Sequence, residues 1–130
     1  MVLDTNILIS ACWKLGGLEQ RVLELGLSGK FEIAATTEVM AEYCEVLGRP
    51  KFSQHADRIR ELFSRLKPTL VEGGPRLQEA LDEDDNHILE CAVAARASYI
   101  VTGNLKDFPP EWEKARIVNA RQFLIENDWL

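Results

Sequence analysis

Short apolar runs alternate with segments of helical period along the whole of this 130-residue chain, and no other feature restricts its fold as strongly. The runs Met1–Leu3, extending on toward Ile9, then Phe31–Ala35, Thr69–Glu72, Tyr99–Thr102 and Ile117–Val118 read as strands. Between them, helices are expected over Leu18–Leu27, from a cap at Thr36 or Thr37 to Leu47, over Ser53–Lys67, from about His87 to Ala97, and over Arg121–Asp128. Turns are marked by Gly16-Gly17, Gly29, Gly48 with Pro50, Pro68 and Gly73-Gly74-Pro75, and a loop by Gly103–Pro110. A strand joined to the next through a helix returns to the same end of the sheet before pairing, which gives parallel strands covered by helices on both faces. The expected class is therefore α/β, as a three-layer α/β/α sandwich with a mainly parallel central sheet. At this length one domain over residues 1–130 is expected, with about two-thirds of its unfolded surface buried.

Hydrophobic residues make up 46% and charged residues 28%, a balance that excludes disordered and fibrous chains. Cys12, Cys44 and Cys91 are odd in number and form no Cys-x-x-Cys pair, so neither a disulfide framework nor a thiolate zinc site is indicated, and a reducing, cytoplasmic setting is expected. The apolar start from Val2 to Ala11 has no basic residue before it and is interrupted by Asp4, unlike a secretory signal. No stretch reaches transmembrane length, so no membrane partner is expected. Fifteen Lys and Arg against 21 Asp and Glu give a formal charge of −6, which at first sight disfavours a polyanion as partner. Two divalent cations would bring the total to about −2 and would themselves meet phosphates, so local charge decides the matter.

Chemistry is sought in the acids. In an open parallel sheet, sites form where loops leave the carboxyl ends of the strands. Asp4 interrupts an apolar run, where a carboxylate is costly unless it is paired or metal-bound. Glu42 has Glu38 and Glu45 on one side of its helix and Val39 and Val46 on the other, at the border of an acidic and an apolar stripe. Taken alone, that pattern also describes a solvated helix face. Asp85 closes the run Asp82-Glu83-Asp84-Asp85, which by itself reads equally as helix-dipole complementation. A set rich in acids, with only His55 and His87 and no spacing between them that suits a ligand pair, matches the oxygen donors that Mg²⁺ and Mn²⁺ prefer. The chain has no Gly-x-Ser-x-Gly elbow, no phosphate-binding Gly-Lys-Ser/Thr loop and no dinucleotide fingerprint.

Four segments then point to a family. Val-Leu-Asp-Thr-Asn-Ile-Leu-Ile-Ser at 2–10, Glu-Tyr-x-Glu-Val-Leu-x-Arg-Pro-Lys-Phe at 42–52, Asp-Asp-Asn-x-x-Leu-Glu-Cys-Ala at 84–92 and Tyr-Ile-Val-Thr-Gly-Asn-Leu-Lys-Asp-Phe at 99–108 resemble, in order and spacing, a PIN domain of the toxin-component (VapC-like) branch. The resemblance spans almost the whole chain. It implies a Mg²⁺- or Mn²⁺-dependent ribonuclease, a homodimer and a small antitoxin partner. Carried over, the family's first acid falls on Asp4, its helix glutamate on Glu42 and its third acid on Asp85. The hydroxyl and amide of the opening triplet fall on Thr5 and Asn6, and the threonine before the fourth acid on Thr102. The chain departs from the pattern at Asn104, where many PIN domains carry Asp, and Asp107 follows three residues later. Asn104 and Asp107 are thus secondary candidates for the metal, and the number of ions, one or two, stays open.

The expected mechanism is phosphodiester hydrolysis with Asp4, Glu42 and Asp85 around the ion and Thr5, Asn6 and Thr102 orienting the carboxylates or the phosphate. RNA contacts are expected from Arg49, Lys51, Arg58, Arg65 and Lys106, each of which also reads as a solubilising charge. Trp13, Trp112 and Trp129 read better as packing residues than as base-stacking platforms. Two other functions fit parts of the pattern. One is a PIN-fold RNA- or protein-binding module weakened in catalysis at Asn104, and the other a receiver-like phosphotransfer domain, which would need an acidic pair after the first strand and a Lys after the last.

Overall fold

The computed structural model describes residues 1–72 and 74–130. In chain order its elements are β1 (Val2–Leu3), α1 (Thr5–Trp13), α2 (Leu18–Leu27), β2 (Ala34–Ala35), α3 (Thr37–Leu47), α4 (Ala56–Arg65), β3 (Thr69–Leu70), α5 (Glu83–Ala95), β4 (Tyr99–Val101), β5 (Arg116–Val118) and α6 (Ala120–Glu126). Two 3₁₀ turns, Pro50–His55 and Leu105–Asp107, complete the set. The glycine–proline turn expected at Gly73-Gly74-Pro75 includes Gly73, which lies outside the described residues.

Every strand pairing is parallel. One set runs β1-β4-β5 and the other pairs β2 with β3. The Ala34 amide donates to the Met1 carbonyl at 2.9 Å, so β2 lies beside β1. The resulting order is β3-β2-β1-β4-β5. Successive side chains of a strand point to opposite faces, and Val2 with Leu3, like Ile100 with Val101, are wholly buried on both. Helices therefore cover the sheet on its two sides, as the expected sandwich requires. α5 packs on β1, β2 and β4 with α3 beside it, while α6 packs on β4 and β5 with α2 beside it. Phe123 of α6 meets Phe31 and Tyr99 with ring centres 5.0 Å away in both cases.

Several boundaries differ from the sequence expectation. The first strand stops at Leu3 instead of running toward Ile9, because the Asp4 carboxylate accepts the Thr5 amide and starts α1 there. Once Asp4 caps, Ile7, Leu8, Ala11 and Cys12 recur at helical spacing and form the buried stripe of α1. The second difference is α5, which begins at Glu83 and not near His87. Asp82 accepts the Asp84 amide at 2.8 Å, and the next three acids occupy the first turn, where the helix dipole favours them. The helix expected over Ser53–Lys67 divides at His55, whose backbone leaves the helical region between the Pro50–His55 turn and α4.

Chain direction locates the site. From β1 the chain moves outward through β2 to β3, then crosses back to β4 on the other side of β1 and goes on to β5. Strand order thus reverses between β1 and β4, and the crevice outside their carboxyl ends is where such sheets place ligands. Asp4 leaves β1 there and Thr102 leaves β4. Tyr43, fully buried on α3, donates its hydroxyl to the Leu3 carbonyl and fixes α3 against the end of β1. Tyr43→Phe is expected to lower unfolding stability by about 1–3 kcal/mol in urea titration, with an unchanged slope, because it leaves a buried carbonyl short of a partner.

Candidate active site

Asp4 is the centre of the crevice. Only 7% of it is exposed, and both of its carboxylate oxygens accept hydrogen bonds. Oδ1 accepts the Thr5 amide at 2.8 Å, and Oδ2 accepts Thr102 Oγ1 at 2.7 Å and Asn6 Nδ2 at 3.2 Å. Hydrogen bonds therefore account for its burial without an ion. Burial still outweighs them and raises the pKa of Asp4 above the usual carboxylate range, with the charge of Asp107 adding to the effect.

The same polar residues join the two loops. Thr102 Oγ1 also accepts the Asn104 amide at 3.0 Å, and Asn6 Oδ1 accepts the Gly103 amide at 2.9 Å. A Cβ on Gly103 would stand 3.3 Å from Asn6 Oδ1, closer than most contacts allow, so the approach of the β4 loop to Asn6 favours glycine. Thr5 uses its backbone on Asp4 and its hydroxyl on Glu42, donating to Oε2 at 2.5 Å. One residue thereby couples carboxylates from the β1 exit and from α3.

Glu42 is half-buried and its pKa is pushed up to about 7 by burial, opposed by the Thr5 hydrogen bond and reinforced by Asp84 and Asp4. Asp85 is also raised to about 7, first by burial and then by the charges of Asp4, Asp82, Asp107 and Asp84. Asp4 thus acts on both of the other acids singled out in the sequence, and Asp107 acts on Asp4 and Asp85. Asn104 is exposed, and no side-chain hydrogen bond ties it to the carboxylates among the described residues. Of the two secondary candidates, Asp107 is the one electrostatically engaged. Asp84 was overlooked in the sequence, and its carboxyl faces Glu42. Had the helix been started at Glu83, as the Asp82 cap requires, the neighbouring turn positions Asp84 and Asp85 would both have stood out.

The basic residues separate into two groups. Arg49 pairs with Glu45 at 2.8 Å and feels the charges of Asp84 and Glu42, and Lys106 lines a cavity with Asp85. Arg58 donates to the Cys12 carbonyl at 2.9 Å, near the end of α1 opposite Asp4, and Arg65 pairs with Glu24 of α2. These two are not brought to the carboxylates; they tie α4 to α1 and α2. Lys51 lies over the Phe52 ring at 5.1 Å. Trp13 packs edge-on against Phe52 at 4.8 Å, as a packing residue should, whereas Trp129 is 41% exposed.

Among the described residues, no three His, Cys, Asp or Glu side chains converge as a ready-made ion cage. The donor set nevertheless suits Mg²⁺ or Mn²⁺, which are held by one or two carboxylates together with waters and substrate phosphates. Acids that raise each other's pKa are also the groups a cation would relieve.

A family model described as PIN domain matches residues 1–106. The chain belongs to the PIN domain family. PIN domains are generally nucleases, and membership sets this chain apart from the receiver-like alternative. Among solved structures, the fold is similar to a chain of VapBC2 from Rickettsia felis, crystallised bound to a DNA fragment from the promoter. The TM-score is 0.65 at 22% identity, covering 91% of this chain and 96% of that one, a likeness that speaks for the fold. No curated protein matches the chain.

The raised carboxylates of this PIN domain have a consequence for stability. Because Glu42 and Asp85 hold protons up to about pH 7 when folded, and only to about pH 4 when unfolded, the folded state binds more protons between those values. Metal-free protein should therefore melt at a higher temperature as pH falls from about 8 to 5.5. Millimolar Mg²⁺ should raise the melting temperature at pH 8 and have little effect at pH 5.5, where protons already neutralise the site. Scanning calorimetry with and without the ion checks both, and an equal metal effect at the two pH values would contradict the assignment.

Proposed function

We propose that this PIN domain is a Mg²⁺- or Mn²⁺-dependent endoribonuclease and the toxin of a toxin–antitoxin pair. The observation that carries the reading is Asp4, at the point where strand order reverses, electrostatically linked to Glu42, Asp85 and Asp107 in a chain of the PIN family. Asp4, Glu42 and Asp85 would hold the ion, with Asp107 as the further acid. Bound there, such an ion supplies Lewis-acid activation of water at neutral pH and offsets charge on the transferring phosphoryl group.

The protein's own residues do the positioning. Thr102 and Asn6 hold the Asp4 carboxylate in one orientation through Oδ2, and Thr5 does the same for Glu42. These donors leave the acids little freedom to follow a displaced phosphate, which keeps attacking and leaving groups in line. Arg49, in the field of Asp84 and Glu42, and Lys106, lining a cavity with Asp85, are candidates for the RNA backbone, where each phosphate they meet adds salt-dependent affinity. Similarity to a chain of a VapBC2 complex bound to promoter DNA supports an antitoxin as partner.

With Mn²⁺ present, the purified protein is expected to cleave single-stranded RNA, and Asp4→Asn to abolish cleavage while circular dichroism shows the fold intact. Retained cleavage in Asp4→Asn would sink the assignment. No cleavage by the unaltered protein, together with no divalent-metal binding in calorimetry, would favour a PIN-fold binding module instead. Asp107→Asn should lower kcat/KM by roughly 10- to 100-fold, and Asn104→Ala by much less. The reverse order would restore Asn104 as the fourth site residue.

A further inference from the structure

A cavity of about 360 Å³ opens beside the carboxylates and is not used by the mechanism above. Asp85 and Asp107 border it on the side of the site. Its apolar walls come from two chain segments, Leu81 in one and Phe108, Pro109 and Pro110 in the other. Its volume falls in the range of about 300–1,000 Å³ found for small-ligand pockets.

The walls are fixed before any ligand arrives. Buried Asn86 accepts the Ala80 amide at 2.8 Å and donates to the Ala80 carbonyl at 3.1 Å, and Asp82 on the other side of Leu81 caps α5. Leu81 is held between these two anchors, yet its side chain is entirely exposed. On the opposite segment Phe108 is buried and the proline pair limits backbone motion. Apolar surface set among the acids Glu79, Asp82, Asp85 and Asp107 suits a flat ring whose faces are apolar and whose edge donates hydrogen bonds. Asp82 has one oxygen engaged, by the Asp84 amide, and as a carboxylate it accepts only. Adenine, cytosine and guanine present an exocyclic amino group to such an acceptor, whereas uracil presents two carbonyls and a single N–H. Lys106 on the same cavity supplies a cation for an adjoining phosphate.

We infer that this cavity receives the nucleobase beside the scissile phosphate and selects an amino-bearing base over uracil. The inference rests on the nuclease reading and adds to it a basis for sequence preference. The apolar wall adjoins the hydrolytic carboxylates and carries acids suited to base amino groups, which favours a base over a second protein as occupant.

The test uses the full chain and short fluorescein-labelled oligo(A), oligo(C) and oligo(U). Binding is followed by anisotropy with Ca²⁺, and cleavage with Mn²⁺. Oligo(U) is expected to bind and be cut about 5- to 100-fold less well than the other two. Asp82→Asn keeps a residue that caps helices and adds an amide donor for a uracil carbonyl, so it should narrow that gap. Leu81→Ala should weaken binding of all three about tenfold with an unaltered circular dichroism spectrum. Cleavage without base preference overturns this inference and leaves the nuclease reading standing. Preference in binding without cleavage keeps the base selection but overturns the nuclease reading, and with it the placement beside a scissile phosphate. If Leu81→Ala reduces self-association in sedimentation while oligonucleotide affinity stays unchanged, the cavity is a protein contact and the inference fails.

Discussion

The hydrogen bonds converging on the Asp4 carboxylate hold the crevice together. A charge this deeply buried would be intolerable unpaired. Its partners come from its own helix, Thr5 and Asn6, and from the far end of the chain, Thr102. Asp4 is therefore cap, cross-link and candidate ligand at once. Its capping ends β1 after two residues and starts α1, and its bond to Thr102 aligns the exits of β1 and β4. The same Thr5 reaches Glu42, so α3 is registered against the same centre. Tyr43, one residue on, repeats the connection from the apolar side through the Leu3 carbonyl.

The electrostatics pull the other way. Folding buries Glu42 and Asp85 beside other acids, and burial first, with the charges of Asp4 and Asp84 second, raises both to about pH 7. Stability arises elsewhere, in the buried strands β1 and β2 and in side chains such as Phe123, Tyr43, Leu89 and Leu124. Such a site is a concentrated local cost that the hydrophobic core offsets, a common arrangement where function and stability make opposite demands.

Much of this was legible in the residues. Alternating strand and helix patterns predicted the parallel sheet, and the bounds of α2 were read correctly because Gly17 and the glycine after Ser28 frame a clear apolar stripe. Asp4, Glu42 and Asp85 were chosen as site candidates, and they share one electrostatic neighbourhood. Boundaries at polar residues were harder. Asp4 reads as an interruption of a strand unless its side chain is known to cap, and the acids before His87 read as dipole partners ahead of the helix, with its start left near His87, unless Asp82 is known to cap. Arg58 and Arg65 show another limit. Their spacing put them on one helix face, but only the packing of α4 on α1 and α2 shows that the face points away from the acids.

The Asp4–Thr102 bond joins positions 98 residues apart, and the Gly103–Asn6 bond joins positions 97 apart. Contacts of that separation form late, since the intervening chain must first close its loop. During synthesis, Asp4 and Glu42 emerge well before the strand that orients them, and until β4 docks the acids have no common geometry. A growing chain of this kind has its acids in hand early, and acquires their common arrangement only when nearly all of it has left the ribosome.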